Sequence, residues 1–153
     1  MRKSAALAFV LAGLCSLALA TDAHAQTTTT PLATGSLHGI VHKTTGKVLL
    51  LPTAGGGHVL RLENFQTSNG PDVRVYLVKG NNADNNDFVK AGGGNFVDLG
   101  ALKGNIGDQN YTIPANVNLD EYRSVSIWCR RFAVNFGAAS LEPAEPSAPG
   151  TSH

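Results

Sequence analysis

Cys129 is the residue in this sequence with the most chemistry to offer. It is one of two cysteines in 153 residues, and the other, Cys15, lies inside an N-terminal apolar run. A thiol reacts through its thiolate, and nearby positive charge favours that form. Arg130 and Arg131 follow Cys129 directly. The triplet is therefore a candidate redox centre, with Cys129 as the thiol and both arginines as thiolate support. A plainer reading stands beside it. Free cysteine is among the most buried residue types and packs as a small hydrophobe. Val125, Ile127 and Cys129 share odd positions, which points the thiol inward. A third reading is an intermolecular disulfide, because an odd cysteine in an exported chain is unusual.

The other candidate groups form no complete constellation. Cys129 with His38, His42 and His58 supplies the thiolate and imidazoles of a cupredoxin-like copper site. No histidine follows Cys129 closely and no methionine follows Met1, so that donor set is incomplete. Covalent haem is excluded for want of a Cys-x-x-Cys-His motif. His38 and His42 have even spacing, which on a strand puts both on one face, and two solvent-facing histidines are the simplest account. The run from Asn81 to Asp87 offers oxygen ligands without the spacing of a calcium loop; Asn and Asp are also what long turns use. No metal is expected. Asp108, Gln109, Asn110 and Tyr111 form a polar cluster ahead of a strand, either lining a pocket or fixing an Asx-type turn. Trp128 and Tyr76 are expected to pack in the core. No Ser/His/Asp motif, phosphate-binding glycine loop or zinc spacing is present, so nothing argues for a conventional enzyme.

These residues belong to a chain that reads as exported. Arg2 and Lys3 precede an apolar stretch from Leu7 to Ala20, too short for a comfortable membrane span. Ala23-His24-Ala25 supplies a small-x-small cleavage pattern. Residues 1–25 are thus expected to be a signal peptide, Cys15 leaving with it, and the mature protein to be periplasmic or extracellular. Leu14 stands where a lipoprotein would carry a small residue. Residues 26–33 form a polar, Thr-rich leader, and 142–153 a disordered, Pro-rich tail. What lies between, 34–141, suffices for one domain with one core. The whole chain has 12 basic and 11 acidic side chains; removing Arg2, Lys3 and Asp22 leaves ten of each. That balance argues against nucleic acid and against a polybasic membrane-surface protein. No later segment is long and apolar enough to span a membrane. A monomer is expected.

Strand signals dominate. Fifteen glycines fall between Thr34 and Leu141, clustered at Gly55–Gly57 and Gly92–Gly94, which breaks helices and marks turns. Asp72 to Lys79 alternates most clearly: Val73, Val75 and Leu77 face one way, Arg74, Tyr76 and Val78 the other. His58 to Leu62 repeats the pattern. Leu37–His42 and Lys47–Leu51 read as a first hairpin, with Phe96–Leu99 and Asn110–Ile113 as shorter strands. In Ser124–Phe136 the apolar positions are odd up to Cys129 and even from Phe132, so the phase changes at Arg130-Arg131. A β-bulge, or two strands meeting at a corner, would produce that change. The expected fold is all-β: a single-domain, jelly-roll-like antiparallel β-sandwich of about seven to nine short strands.

One block of residues is specific enough to identify. Gly104-x-x-Gly107-Asp108-Gln109-Asn110-Tyr111-x-Ile113-Pro114, followed by Tyr122-x-Ser124-Val125-x-Ile127-Trp128-Cys129, resembles the DM-thirteen domain family. The upstream segments Leu60–Phe65 and Ser68–Leu77, and Gly35-x-Leu37-x-Gly39, resemble it too. Asn64 stands where the family pattern calls for an acidic residue. The resemblance implies a β-rich secreted or surface domain with an electron-transfer or redox role centred on a cysteine matching Cys129. It also implies company: such domains occur beside DOMON domains, which bind haem or sugars. By that analogy non-covalent haem on His38, His42 or His58 stays open, and a redox or surface protein partner is expected. The alternative is a non-catalytic binding or surface-interaction module whose cysteine only packs.

Overall fold

The computed structural model describes residues 29–145. The expected signal peptide, 1–25, lies outside these residues, as does most of the Pro-rich tail. The strands are β1 (Ala33–Ser36), β2 (His38–Gly39), β3 (Thr45–Pro52), β4 (His58–Gln66), β5 (Val73–Val78), β6 (Phe96–Ala101), β7 (Gln109–Ile113), β8 (Ser124–Cys129), β9 (Val134–Ser140) and β10 (Glu142–Pro143), with a single helical turn, α1 (Asp87–Lys90), between β5 and β6. They form two five-stranded antiparallel sheets, ordered β10-β1-β3-β4-β7 and β2-β9-β8-β5-β6, which do not close into a barrel. The expected all-β sandwich is the observed fold; the strand number rises to ten because β2 and β10 are two-residue pairings.

The first hairpin differs from expectation. β3 pairs with β1, Ser36 lying opposite Lys47, whereas His38 and Gly39 pair with β9 in the other sheet. Leu37 is buried where the chain crosses between the sheets. A continuous Leu37–His42 strand would have left that apolar side chain on a single sheet edge; crossing puts it in the core. The pairing of Glu142 and Pro143 with β1 likewise carries the sheet into the segment expected as tail.

The core between the sheets is built from one parity of each strand: Val48 and Leu50, Leu60 and Leu62, Val73, Val75 and Leu77, Tyr111 and Ile113, Val125 and Ile127. The second sheet is buried on its outer face as well. Apart from Arg74, β5 and β8 carry apolar or small side chains at both parities, and the connection 79–95 folds over them. Phe88 of α1 packs there, edge-on to Trp128 at 5.5 Å, while Tyr76 stacks on Phe96 at 4.4 Å. Asn135, buried, donates to the Ala83 carbonyl at 2.6 Å and fastens this flap to the sheet.

Antiparallel pairing sorts the connections. Segments 37–44, 67–72, 102–108 and 130–133 all lie at one end of the sandwich. Segments 53–57 and 114–123 lie at the other, from which the flap 79–95 also departs.

Candidate functional site

Cys129 is the last residue of β8, at the end where those four connections gather. Its partners across the sheet are Val73 on β5 and Val134 on β9. Odd positions of β8 face the core, so the thiol points inward with Val125 and Ile127, and its exposure is 0%. The inward direction expected from alternation is the observed one. It is the only free cysteine among the described residues.

The phase change resolves into two separate devices. Residues 130–133 turn β8 into β9, with Ala133 in the left-handed region at φ 51°. A bulge then falls within β9: Ile127 faces Gly137 and Trp128 faces Asn135, which leaves Phe136 as the extra residue. Inward positions are Val134 and Phe136 before it and Ala139 and Leu141 after it. Gly137 lies where β2 crosses, and a Cβ there would meet Thr44 Cβ at 2.5 Å and the His38 carbonyl at 2.7 Å. Phe132 does not join the inward series; it is 62% exposed in the turn.

The arginines lie outside the core that holds the thiol. The Arg130 backbone amide donates to the Asp72 carbonyl at 2.9 Å, and its Nε to Asp72 Oδ2 at 2.8 Å. Asp72 thereby holds the β8–β9 turn against the start of β5, and it also faces Arg74 Nη1 at 3.5 Å. Arg131 is exposed. Among the described residues no hydrogen bond links either guanidinium to the sulfur. Arg130 is committed to Asp72, a partner that sequence spacing had no way to mark.

The histidines do not converge. His38 Nε2 lies 2.9 Å from Asp84 Oδ1 on the flap, while the His42 ring tilts against Phe136 at 4.1 Å. His58 opens β4 on the other sheet, at the opposite end. His38 and His42 therefore share no strand face, contrary to expectation, because the chain bends after Gly39. Among the described residues no three His, Cys, Asp or Glu side chains group to hold a metal ion. The arrangement gives haem no paired axial histidines.

The polar blocks are structural. Asn82 Oδ1 accepts from the Asp84 amide and Asn85 Oδ1 from the Asp87 amide, so the Asn/Asp run closes turns. Asp108 accepts from the Asn64 amide at 2.8 Å and from Arg61 Nη2 at 2.9 Å. Asn64 itself has φ 49°, a conformation Asn tolerates better than most residues. Gln109 and Tyr111 then hold the loop ahead of β7: the Tyr111 hydroxyl donates to Gln109 Oε1 at 2.7 Å, and the Lys103 amide donates to both side chains. Burial raises the pKa of Tyr111. Tyr76 is likewise raised, first by burial and then by the Asp98 carboxylate.

Two cavities flank this framework. One, of about 460 Å³, lies at the far end between Leu32, Leu50, Leu119, Arg123 and Leu141. The other, of about 260 Å³, lies beside residues 68–73 and 101–105, at the Cys129 end. Neither is lined by Cys129 or by a histidine. Among the described residues no helix is long and apolar enough to cross a membrane.

A family model described as electron transfer DM13 matches residues 36–141. No curated protein and no solved structure matches the chain.

Proposed function

Since the chain belongs to the DM13 electron-transfer domain family, we propose that it is an exported electron-transfer module with Cys129 as its redox-relevant group. One observation carries the reading. The single thiol among the described residues terminates β8 beside the exposed Arg130–Ala133 turn, so one strand end separates it from the surface. With no second thiol among the described residues, an internal disulfide is not available to it. Oxidation of Cys129 would therefore pass one electron to a partner's oxidised centre and the thiol proton to water, which requires the strand end to open. Export is supported by the charged n-region, the short apolar stretch and Ala23-His24-Ala25.

A second reading has its own observation. Cys129 is fully buried among apolar neighbours, which is what a cysteine that only packs requires. On this reading the protein is a non-catalytic surface-interaction module.

Voltammetry of the mature protein and its Cys129→Ser variant separates the two, with a visible absorption spectrum of each. The electron-transfer reading expects a redox wave in the parent that Cys129→Ser abolishes. Identical traces would leave Cys129 as a packing residue, and a visible band in the parent would reveal a bound chromophore.

A further inference from the structure

Net charge hides a segregation that the fold creates. The four connections at the Cys129 end carry the cations Lys43, Lys103, Arg130 and Arg131 against only two carboxylates, Asp72 and Asp108. Both carboxylates are engaged within the fold, with Arg130 and Arg74 and with Arg61. Lys43, Lys103 and Arg131 face no carboxylate within 4.0 Å among the described residues. At the far end Asp120, Glu121 and Glu142 stand against Lys79 and Arg123, while the flap folds back over the sheet and sets Asp84 against His38. The loops around Cys129 thus carry a local excess of cations in a chain whose overall charge is only +1.

Exposed apolar side chains follow the same division. Of the five large hydrophobics left exposed among the described residues, four stand on the loops of the positive end: Ile40 (39%), Val41 (58%), Ile106 (67%) and Phe132 (62%). Scattered singly, such residues need no explanation. Four on the loops of one end, three of them on the adjoining 37–44 and 130–133 connections beside Lys43 and Arg131, have the composition of an interface: aromatic and aliphatic side chains with Arg and Lys. Val41 is tied to the hairpin that carries Phe132, its amide donating to the Asn135 carbonyl at 3.2 Å.

We infer that this loop end is a docking face for a redox protein that presents an acidic, partly apolar surface. The partner's chemistry follows from the charge: cations without carboxylates on one side call for carboxylates without cations on the other. The local cationic excess favours encounters in which the end bearing Cys129 meets an acidic surface. Small, electrostatically steered interfaces suit partners that must separate after each transfer. The inference rests on the electron-transfer reading for its partner class, while the surface itself can be tested without it.

The test uses isotope-labelled mature protein, following backbone amide shifts as three probes are added at low salt. The probes are flavodoxin as an acidic redox protein, cytochrome c as a basic one, and vesicles of phosphatidylglycerol in phosphatidylcholine. The expected result is that flavodoxin shifts the amides of Val41, Lys43, Ile106, Arg131 and Phe132, that cytochrome c does not, and that affinity falls about tenfold as salt rises to physiological strength. The double variant Lys43→Glu with Arg131→Glu should weaken flavodoxin at least about tenfold while its melting temperature stays unchanged. Cys129→Ser should bind as the parent does. Shifts elsewhere, no shifts, or shifts with vesicles alone would overturn the docking face. If the loops respond while Cys129→Ser keeps the parent's voltammetry, the docking face stands and the redox assignment of Cys129 falls. A Cys129-dependent wave without loop shifts gives the converse.

Discussion

A sealed thiol makes a quantitative demand on labelling. Cys129 has no exposed surface, so a thiol reagent reaches it only when the structure opens. If the opening is global and costs about 5 kcal/mol or more, labelling in native buffer should be at least about a thousandfold slower than in denaturant, at roughly 1.4 kcal/mol per factor of ten. Cys129 ends β8, however, and strand ends open more cheaply than strand centres. The opening free energy from labelling should therefore fall below the unfolding free energy from urea titration. Substitutions sharpen the test. Cys129→Ala removes a sulfur from an apolar site and should cost about 1 kcal/mol. Cys129→Ser sets a hydroxyl among Val73, Ile127 and Val134 and should cost about 2 kcal/mol or more. In a domain of this size each kcal/mol lowers the melting temperature by about 4 °C. Both readouts come from one preparation, by mass-spectrometric labelling and by circular dichroism. Native labelling within about tenfold of the denatured rate, or Cys129→Ser at least as stable as Cys129→Ala, would refute the sealed geometry.

Other outcomes follow from the same contacts. Gly137→Ala drives a Cβ into Thr44 and the His38 carbonyl, so it should cost about 1–3 kcal/mol and loosen β2, seen as lost protection of the Ile40 amide that donates to Phe136. Gln109→Ala strips acceptors from the Lys103 amide and the Tyr111 hydroxyl and should cost about 1–3 kcal/mol by urea titration. Tyr76 and Tyr111 have folded pKa values raised above the ordinary tyrosine value. Their contribution is present in full below the unfolded value, about 10, and is lost as pH climbs from there through the folded values. Melting temperatures measured from pH 8 to 11 should thus drop above pH 10, less steeply in Tyr76→Phe.

The sequence made some elements plain and hid others for identifiable reasons. β5 and the His58–Leu62 part of β4 were legible because alternation is a local property and the core-facing Val73, Val75, Leu77, Leu60 and Leu62 keep it. The inward direction of Cys129 followed from the same rule. The β1–β2 region misled because its strands serve different sheets, and nothing local marks Leu37 as the crossing point. α1 escaped because four residues in an Asn/Asp-rich run carry no helical period; its purpose, covering Trp128 and Tyr76 with Phe88, is tertiary. Phe132 fitted an apolar series that a turn interrupts. The cationic excess of the Cys129 loops was beyond reach, since charges 43, 103, 130 and 131 are brought to one end of the sandwich only by the topology.

The pairing of β1 with β10 sets Ala33 directly opposite Pro143. Entry and exit of the domain are therefore side by side, both at the end away from the Cys129 loops. A second module fused at either point would hang from one pole like a bead on a leash, and the opposite pole would keep its full view of solution. The same closeness makes the fold a natural insert: a short linker from 145 back to 29 should allow new termini at the Gly55–Gly57 turn, where added side chains meet nothing but Thr53.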